Sequence, residues 1–293
     1  MKRTPQKASS KVSGYYELTK PSITFLILIS TALGYYLGAK GNLNYVHLLI
    51  TLIGSSFVSS GAGALNHYSE SKTDKLMDRT KLRPIPSGLI AAKNTLYFGL
   101  LLIFSGTIIL FTFVNILTAI LSLITVILYL FVYTPLKKIT WLNTSIGAVP
   151  GALPPVGGWV AASGKIEPEA WILFTILFLW QHPHFYAIAL MYKEDYKKAN
   201  MQMLPAVELS GSRTNRQIFW HALLLIPVSL MLNYTGLLGD VYFWGAMILG
   251  VLYLVSGFPL IKNYTYENAR MLLKISVLYL PLLFLTILID QLL

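Results

Sequence analysis

Nine stretches of this chain are apolar over the length of a membrane-crossing helix, and no other feature restricts its fold so tightly. A spanning helix needs about 20 mostly apolar residues. The stretches run approximately over 22–39, 45–65, 95–113, 116–133, 142–162, 170–191, 218–238, 241–261 and 275–292. In hydrocarbon every backbone polar group needs a partner within the protein, which leaves helices or closed barrels. The stretches lack the alternating pattern of barrel strands. Charged residues make up only 12% of the chain, about half of the ~25% usual in soluble domains. The expectation is an all-α polytopic membrane helix bundle of about nine transmembrane helices. It forms a single domain over residues 1–293, with 1–20 as a polar cytoplasmic tail. That tail is too long and polar to lead a secretory signal. With no cysteine, disulfides and thiolate metal sites are excluded.

Charge sets the orientation. Cytoplasmic loops of membrane proteins carry an excess of Lys and Arg. If the stretches alternate across a bilayer, all but two of the 23 Lys and Arg residues fall on the N-terminal side. The exceptions are Lys40 and Lys165. This places the N-terminus in the cytoplasm and, with an odd number of spans, Leu293 outside. The net charge of +11 follows from that bias and from attraction to anionic lipid and ligand, not from nucleic-acid binding.

The strongest chemical signal is LNHYSESKTDKLMDRTKLRPIPSG, residues 65–88. Asn66, Glu70, Asp74 and Asp78 recur every four residues, which stacks them along one helix face. Carboxylates on one stripe repel each other unless a cation holds them. Oxygen-only donors suit Mg²⁺ rather than zinc or copper. Arg79, Lys81 and Arg83 follow at once and supply cations for a diphosphate, arginine in bidentate fashion. A solvated, charge-mixed loop is the alternative. Against it, the acids sit where an apolar helix reaches the membrane surface, where ionisable groups are commonly functional.

Two further regions stand out. His182, Pro183 and His184 lie within the sixth stretch, and Lys193, Glu194, Asp195, Lys197 and Lys198 follow its end. In a regular helix His184 and Asp195 share a face three turns apart. His184 reads as a substrate contact, a metal ligand or an ordinary packing residue. Asp195 with Lys193 and Lys198 reads as a second cation or diphosphate site, or as an interfacial ion-pair cluster. The fifth stretch concentrates Gly147, Pro150, Gly151, Pro154, Pro155, Gly157 and Gly158 at membrane depth. Irregular backbone there is tolerated where it lines a cavity, so a central cavity opening to the cytoplasmic side is expected; a kinked helix is the plainer reading. Broken helices also mark transporters, which would need no Mg²⁺ and change no bond.

These motifs resemble the UbiA-type intramembrane prenyltransferases, and in more detail the branch that farnesylates heme. The resemblance covers nearly the whole chain. It rests on residues 66–88, on YTPLKKITWLNTSIGAVPGALPPVGGW (133–159), on WQHPHFYAIALMYKEDYKKANMQMLP (180–205) and on ENARMLLKISVLYLPLLF (267–284). It implies transfer of a farnesyl group from farnesyl diphosphate to the vinyl group of heme B, with water completing a hydroxyethylfarnesyl side chain and giving heme O. It implies Asn66, Glu70, Asp74 and Asp195 as catalytic residues and Mg²⁺ ligands. Arg79, Arg83, Lys138 and Lys198 would hold the diphosphate, and His184 would contact heme. Heme is substrate, not cofactor. A bacterial plasma membrane location follows, with a heme A synthase or oxidase assembly factors as partners. Three positions depart from the family pattern. Glu70 stands where Asp is usual, Lys72 where another acid is frequent, and Asn200 where Gly is usual.

Overall fold

The computed structural model describes residues 10–208 and 210–293, whose regular structure is entirely helical, with no strand among them. The tail residues 1–9, with Lys2, Arg3 and Lys7, lie outside the described residues. The rest of the expected tail is partly folded: α1 (Lys11–Leu18) is capped by the Ser10 side chain and buries Leu18. Then come α2 (Pro21–Gly38), α3 (Tyr45–Asp74), α4 (Ala92–Phe113) and α5 (Ile116–Ile127). A π-helical segment, Leu128–Tyr133, and a single turn, α6 (Thr134–Leu136), complete the fourth span. The chain continues through α7 (Asn143–Ala152), α8 (Pro154–Ser163), α9 (Pro168–Met191), α10 (Lys193–Lys198) and α11 (Leu204–Val207). The last three helices are α12 (Ser212–Tyr234), α13 (Asp240–Lys262) and α14 (Tyr266–Leu292).

Eight of these segments are long and apolar enough to cross a membrane. The fifth expected span is instead two ten-residue helices, α7 and α8. Pro154 and Pro155 have no N–H to continue the ladder of α7, which ends there. The chain forms two compact units, and this break divides them. One contains the chain up to Ile139 with Leu153–Ile166 and Asp195–Met201; the other contains Thr140–Ala152, Glu167–Glu194 and Gln202–Leu293.

Within the first unit, small residues set how closely helices approach, as is usual where lipid removes the hydrophobic drive for helix pairing. On α3 and α4, glycines seven residues apart face each other. A Cβ on Gly61 would stand 2.6 Å from the Gly99 carbonyl oxygen, and one on Gly106 2.6 Å from that of Gly54. The outer faces carry Phe104, Phe111 and Phe131, all exposed, as lipid contact requires. α2 and α8 are closer still: a Cβ on Gly34 would lie 1.9 Å from the Pro155 carbonyl oxygen, and one on Gly158 1.9 Å from that of Thr31.

In the second unit, α9 is the most buried of the spans. Gln181 donates to the carbonyls of Ala148 on α7 and Leu177, and a Cβ on Gly151 would meet its amide oxygen at 2.1 Å. Tyr253 on α13 donates to the Trp180 carbonyl, and the Trp180 indole donates to that of Ser276 on α14. Paired polar groups of this kind hold helices together where water cannot compete.

Adjacent glycines of α8 make a direct test. Gly158→Ala must push α2 and α8 apart, at an expected cost of roughly 1–3 kcal/mol, seen as a lower Tm in detergent. Gly157→Ala meets nothing within 4 Å and should leave Tm unchanged. Equal melting of the two variants would refute this packing.

Candidate functional site: a buried ion-pair cluster

The acidic stripe is built by the overrun of α3. Its 30 residues reach about 45 Å at 1.5 Å per residue, longer than the ~30 Å hydrocarbon core. The sequence led us to expect the apolar part to stop at residue 65. The helix runs on through Asp74, and its last turns carry polar groups beyond the apolar segment. Asn66 and Asp74 are fully buried and Glu70 is 9% exposed. Asp78 drops off the stripe because α3 has ended; it is exposed and pairs with Lys81 and Lys198, each at 2.7 Å. Those two lysines hold its carboxyl down at about 2. Lys72 is also exposed.

Each buried acceptor on the stripe has a cation. Lys137 Nζ lies 2.7 Å from Glu70 Oε1. Arg83 Nη1 lies 2.9 Å from both oxygens of Asp74. Lys20 Nζ donates to Asn66 Oδ1 and, at 3.2 Å, to the Tyr129 hydroxyl. The Asn66 amide donates to Thr134 Oγ1, which in turn donates to the Tyr129 carbonyl. A neutral side chain pairing with an ammonium orients Asn66 with its oxygen toward the charge. Arg83 is delivered by the turn after α3, where Thr80 donates to the Asp74 carbonyl and Met77 is buried.

Lys20 and Lys137 were not among the sequence candidates. Lys20 is the second of two residues between α1 and α2 and has a left-handed backbone, φ 49°, which a non-glycine residue adopts at a cost of roughly 1 kcal/mol or more. Burial pushes its ammonium down to about 7, with Arg83 and Lys137 adding to the effect and Glu70 and Asp74 opposing it. Burial also works against the Lys137 ammonium, but Tyr133, Glu70 and Tyr129 outweigh it and hold that charge above the usual lysine range. Lys137 lies 4.4 Å over the Tyr133 ring, and Tyr129 and Tyr133 are stacked at 5.8 Å. The π-helical segment carries both rings; such segments are rare and often mark functional sites.

The remaining candidates lie outside this cluster. Asp195 accepts from the backbone N–H of Asp78 and of Arg79, each at 3.3 Å, and so ties α10 to the turn after α3. Arg79 donates to the Tyr196 hydroxyl and lies over its ring. Lys138 and Lys198 are exposed. Asn200 is left-handed at φ 54°, a conformation that glycine adopts freely and asparagine tolerates. That accounts for the residue usual at this position.

The second unit presents neutral polar groups. Regular helix ends at Met191 with Tyr192 out of helical geometry, so the common face expected for His184 and Asp195 does not form. The two histidines differ. His182 is fully used: Nδ1 faces the Phe178 carbonyl and Nε2 the Ser145 hydroxyl, with His221 stacked at 3.7 Å. His184 Nδ1 lies 2.7 Å from Ser276 Oγ, whose own hydrogen goes to the Leu273 carbonyl. The histidine must therefore donate at Nδ1, which leaves the Nε2 lone pair basic and able to ligate.

The donor set suits a hard divalent ion: a carboxamide and two carboxylates, all oxygen, buried on one helix face. Mg²⁺ uses one or two carboxylates and completes its shell with water and substrate phosphate. No group of three His, Asp or Glu residues ready to hold a metal occurs among the described residues.

Comparison with known proteins agrees with the fold and the motifs. Residues 27–283 match the UbiA prenyltransferase family. A protoheme IX farnesyltransferase of Solibacter usitatus is 46% identical over 286 residues, covering 94% of this chain and 98% of that protein. The protoheme IX farnesyltransferase of Salinibacter ruber is 41% identical over 276 residues, covering 94% and 98%. Among solved structures, digeranylgeranylglyceryl phosphate synthase superposes with a TM-score of 0.79 at 20% identity, covering 96% of this chain and 98% of that one. A UbiA homolog from Archaeoglobus fulgidus bound to DMAPP and Mg²⁺ gives 0.68 at 16% identity, covering 94% and 99%.

Burial separates the two kinds of ion pair here. Glu70→Gln strands the Lys137 ammonium, and breaking a buried pair costs roughly 3–5 kcal/mol. The Glu70→Gln, Lys137→Met double variant should recover part of that loss. Asp78→Asn removes only exposed pairs and should melt with the parent protein. A Glu70→Gln protein as stable as Asp78→Asn would show that the cluster is solvated.

Proposed function

The chain belongs to the UbiA prenyltransferase family, and from that premise we propose that it transfers the farnesyl group of farnesyl diphosphate to a vinyl group of heme B, forming heme O. It is an integral membrane prenyltransferase. The observation that carries the substrate reading is the buried cluster, in which two carboxylates meet three cations. Such a site favours an anion rich in oxygen, and a diphosphate fits it.

In this reading Lys20, Arg83 and Lys137 take the diphosphate oxygens, and they lie where negative charge grows as the allylic C–O bond breaks. Preoriented donors in a site that excludes water are worth far more than in solution. Arg79, Lys138 and Lys198 form an outer positive rim that raises the local concentration of the anion. Asn66, Glu70 and Asp74 would hold Mg²⁺, while Asp195, whose oxygens accept from the backbone N–H of Asp78 and of Arg79, would steady the turn that carries Arg83. When bound, Mg²⁺ supplies Lewis-acid stabilisation of the departing diphosphate. The faces of Tyr129 and Tyr133 offer electron-rich surfaces to a positively charged allyl group.

The heme vinyl carbon then forms a bond to the farnesyl carbon that has lost diphosphate. The cation left on the vinyl group takes up water and loses a proton, which leaves the hydroxyl. His184 Nε2, fixed in its basic tautomer by Ser276, is the side chain suited to ligate heme iron. In this reading the N-terminus is cytoplasmic, the C-terminus is outside, with α7 and α8 together making one crossing, and the membrane is the bacterial plasma membrane; the excess of Lys and Arg on the N-terminal side supports the orientation. A heme A synthase or oxidase assembly factors would receive the product.

Incubating membranes with heme B and farnesyl diphosphate should give heme O by mass spectrometry, and removing divalent ions should abolish it. Asp74→Ala should lower the rate by ~10²–10³ or more in protein that still inserts. Unaltered heme B in the complete reaction, or normal heme O from Asp74→Ala, would overturn the assignment.

A further inference from the structure

The carboxylates that would ligate the metal are each occupied by a cation, and this determines how the site must load. Glu70 and Asp74 carry two negative charges against Lys20, Arg83 and Lys137. Glu70 and Asp74, almost completely buried, are already neutralised by Lys137 and Arg83. A divalent ion arriving by itself would add two positive charges that no carboxylate is left to offset, in a poorly solvated place, and unpaired buried charge is strongly disfavoured. Adding a diphosphate as well offsets it. The diphosphate also gives the ammonium and guanidinium groups somewhere to go, because charge-assisted bonds to phosphate oxygens replace those they give up.

Resting on the diphosphate reading above, we infer that Lys20 is an exchange residue: it occupies the Asn66 oxygen until a diphosphate arrives and then moves to the diphosphate, freeing Asn66 for the metal. Lys20 is suited to this in two ways. Its partners are neutral, Asn66 and the Tyr129 hydroxyl, so it has no counter-ion of its own, unlike Lys137 and Arg83. It sits in a left-handed linker between two helices rather than within one, so its side chain is not bound to a helix face. Beside it, His67 is buried with no hydrogen-bond partner for Nδ1 among the described residues and lies in the field of Lys20 and Arg83. Buried polar atoms rarely go unpaired, so this nitrogen is a contact for what binds there.

The consequence is thermodynamic coupling. Metal and diphosphate each strengthen the other, by equal factors in both directions.

Calorimetry on the detergent-purified full chain tests it, with Mg²⁺ alone, with the unreactive farnesyl thiodiphosphate alone, and with each in the presence of the other. The parent protein should bind Mg²⁺ at least about tenfold more tightly once thiodiphosphate is bound, and the reverse titration should give the same factor. Lys20→Met should bind Mg²⁺ alone more tightly than the parent, bind thiodiphosphate more weakly, and lose most of the coupling. Lys20→Gly should behave alike, and glycine suits the left-handed backbone, so poor folding cannot explain the result. Lys20→Arg should keep the coupling. Tight thiodiphosphate binding with no effect on Mg²⁺ would overturn the exchange while leaving the proposed function standing. No thiodiphosphate binding at any Mg²⁺ concentration would overturn both. Weaker binding of both ligands to Lys20→Met and Lys20→Gly would make Lys20 merely structural and end the proposal.

Discussion

A charge taken out of water needs an opposite charge or a full set of hydrogen bonds, and the first unit is organised by that requirement. Glu70 and Asp74 cannot be buried at the end of α3 unless Lys137 and Arg83 come to meet them. Those cations come from different places: Lys137 follows the fourth span, and Arg83 is on the turn after α3. Lys20, from the linker before α2, reaches Asn66 on the same stripe. One row of side chains thus fixes the end of the fourth span, a turn and a linker relative to α3. Replacing such pairs with apolar residues can stabilise a protein, so packing alone does not explain why the ions are there. The proposed polyanion site would.

The second unit solves the same problem without net charge. Its buried polar groups are imidazoles, a carboxamide, hydroxyls and an indole, and they are satisfied largely by backbone carbonyls on neighbouring helices. Such networks orient donors and acceptors without creating a field. The Ser276–His184 bond chooses a tautomer; the Ser145–His182–Phe178 arrangement uses up a ring.

The helices were legible because lipid demands long apolar runs and little else looks like them. Asn66, Glu70 and Asp74 were legible because the four-residue spacing survives from sequence to structure. Asp78 has the same spacing, yet it is exposed, because whether a stripe continues depends on where the helix stops. That point is set by tertiary contacts of the following turn, such as Met77 and Thr80. Lys20 was hidden in a run of tail lysines, since nothing local distinguishes a buried lysine from a solvated one. Lys137 is different. Tyr129, Tyr133 and Lys137 recur every four residues and lead straight from a span into a cationic loop, a pattern as regular as the acidic one. That pattern carries Lys137 to Glu70, while the adjacent Lys138 is exposed. The choice between His182 and His184 depends on Ser145 and Ser276, far away in sequence.

The close glycine packing and the ion cluster are linked. Electrostatic stabilisation of a transition state depends on donors that need not reorganise as charge develops. In a membrane, where helices gain little from apolar association, rigidity has to come from close backbone contact. Gly54 and Gly61 on α3 provide it, and they lie on the helix that carries Asn66, Glu70 and Asp74. The face that locks α3 to α4 and the face that bears the charges are thus two sides of one helix. A methyl group between α3 and α4 would move the carboxylates together with the backbone that holds them. For the reaction proposed above, a displacement of even an ångström near the leaving diphosphate would be costly. Small residues far from the chemistry are therefore part of the same device as the acids.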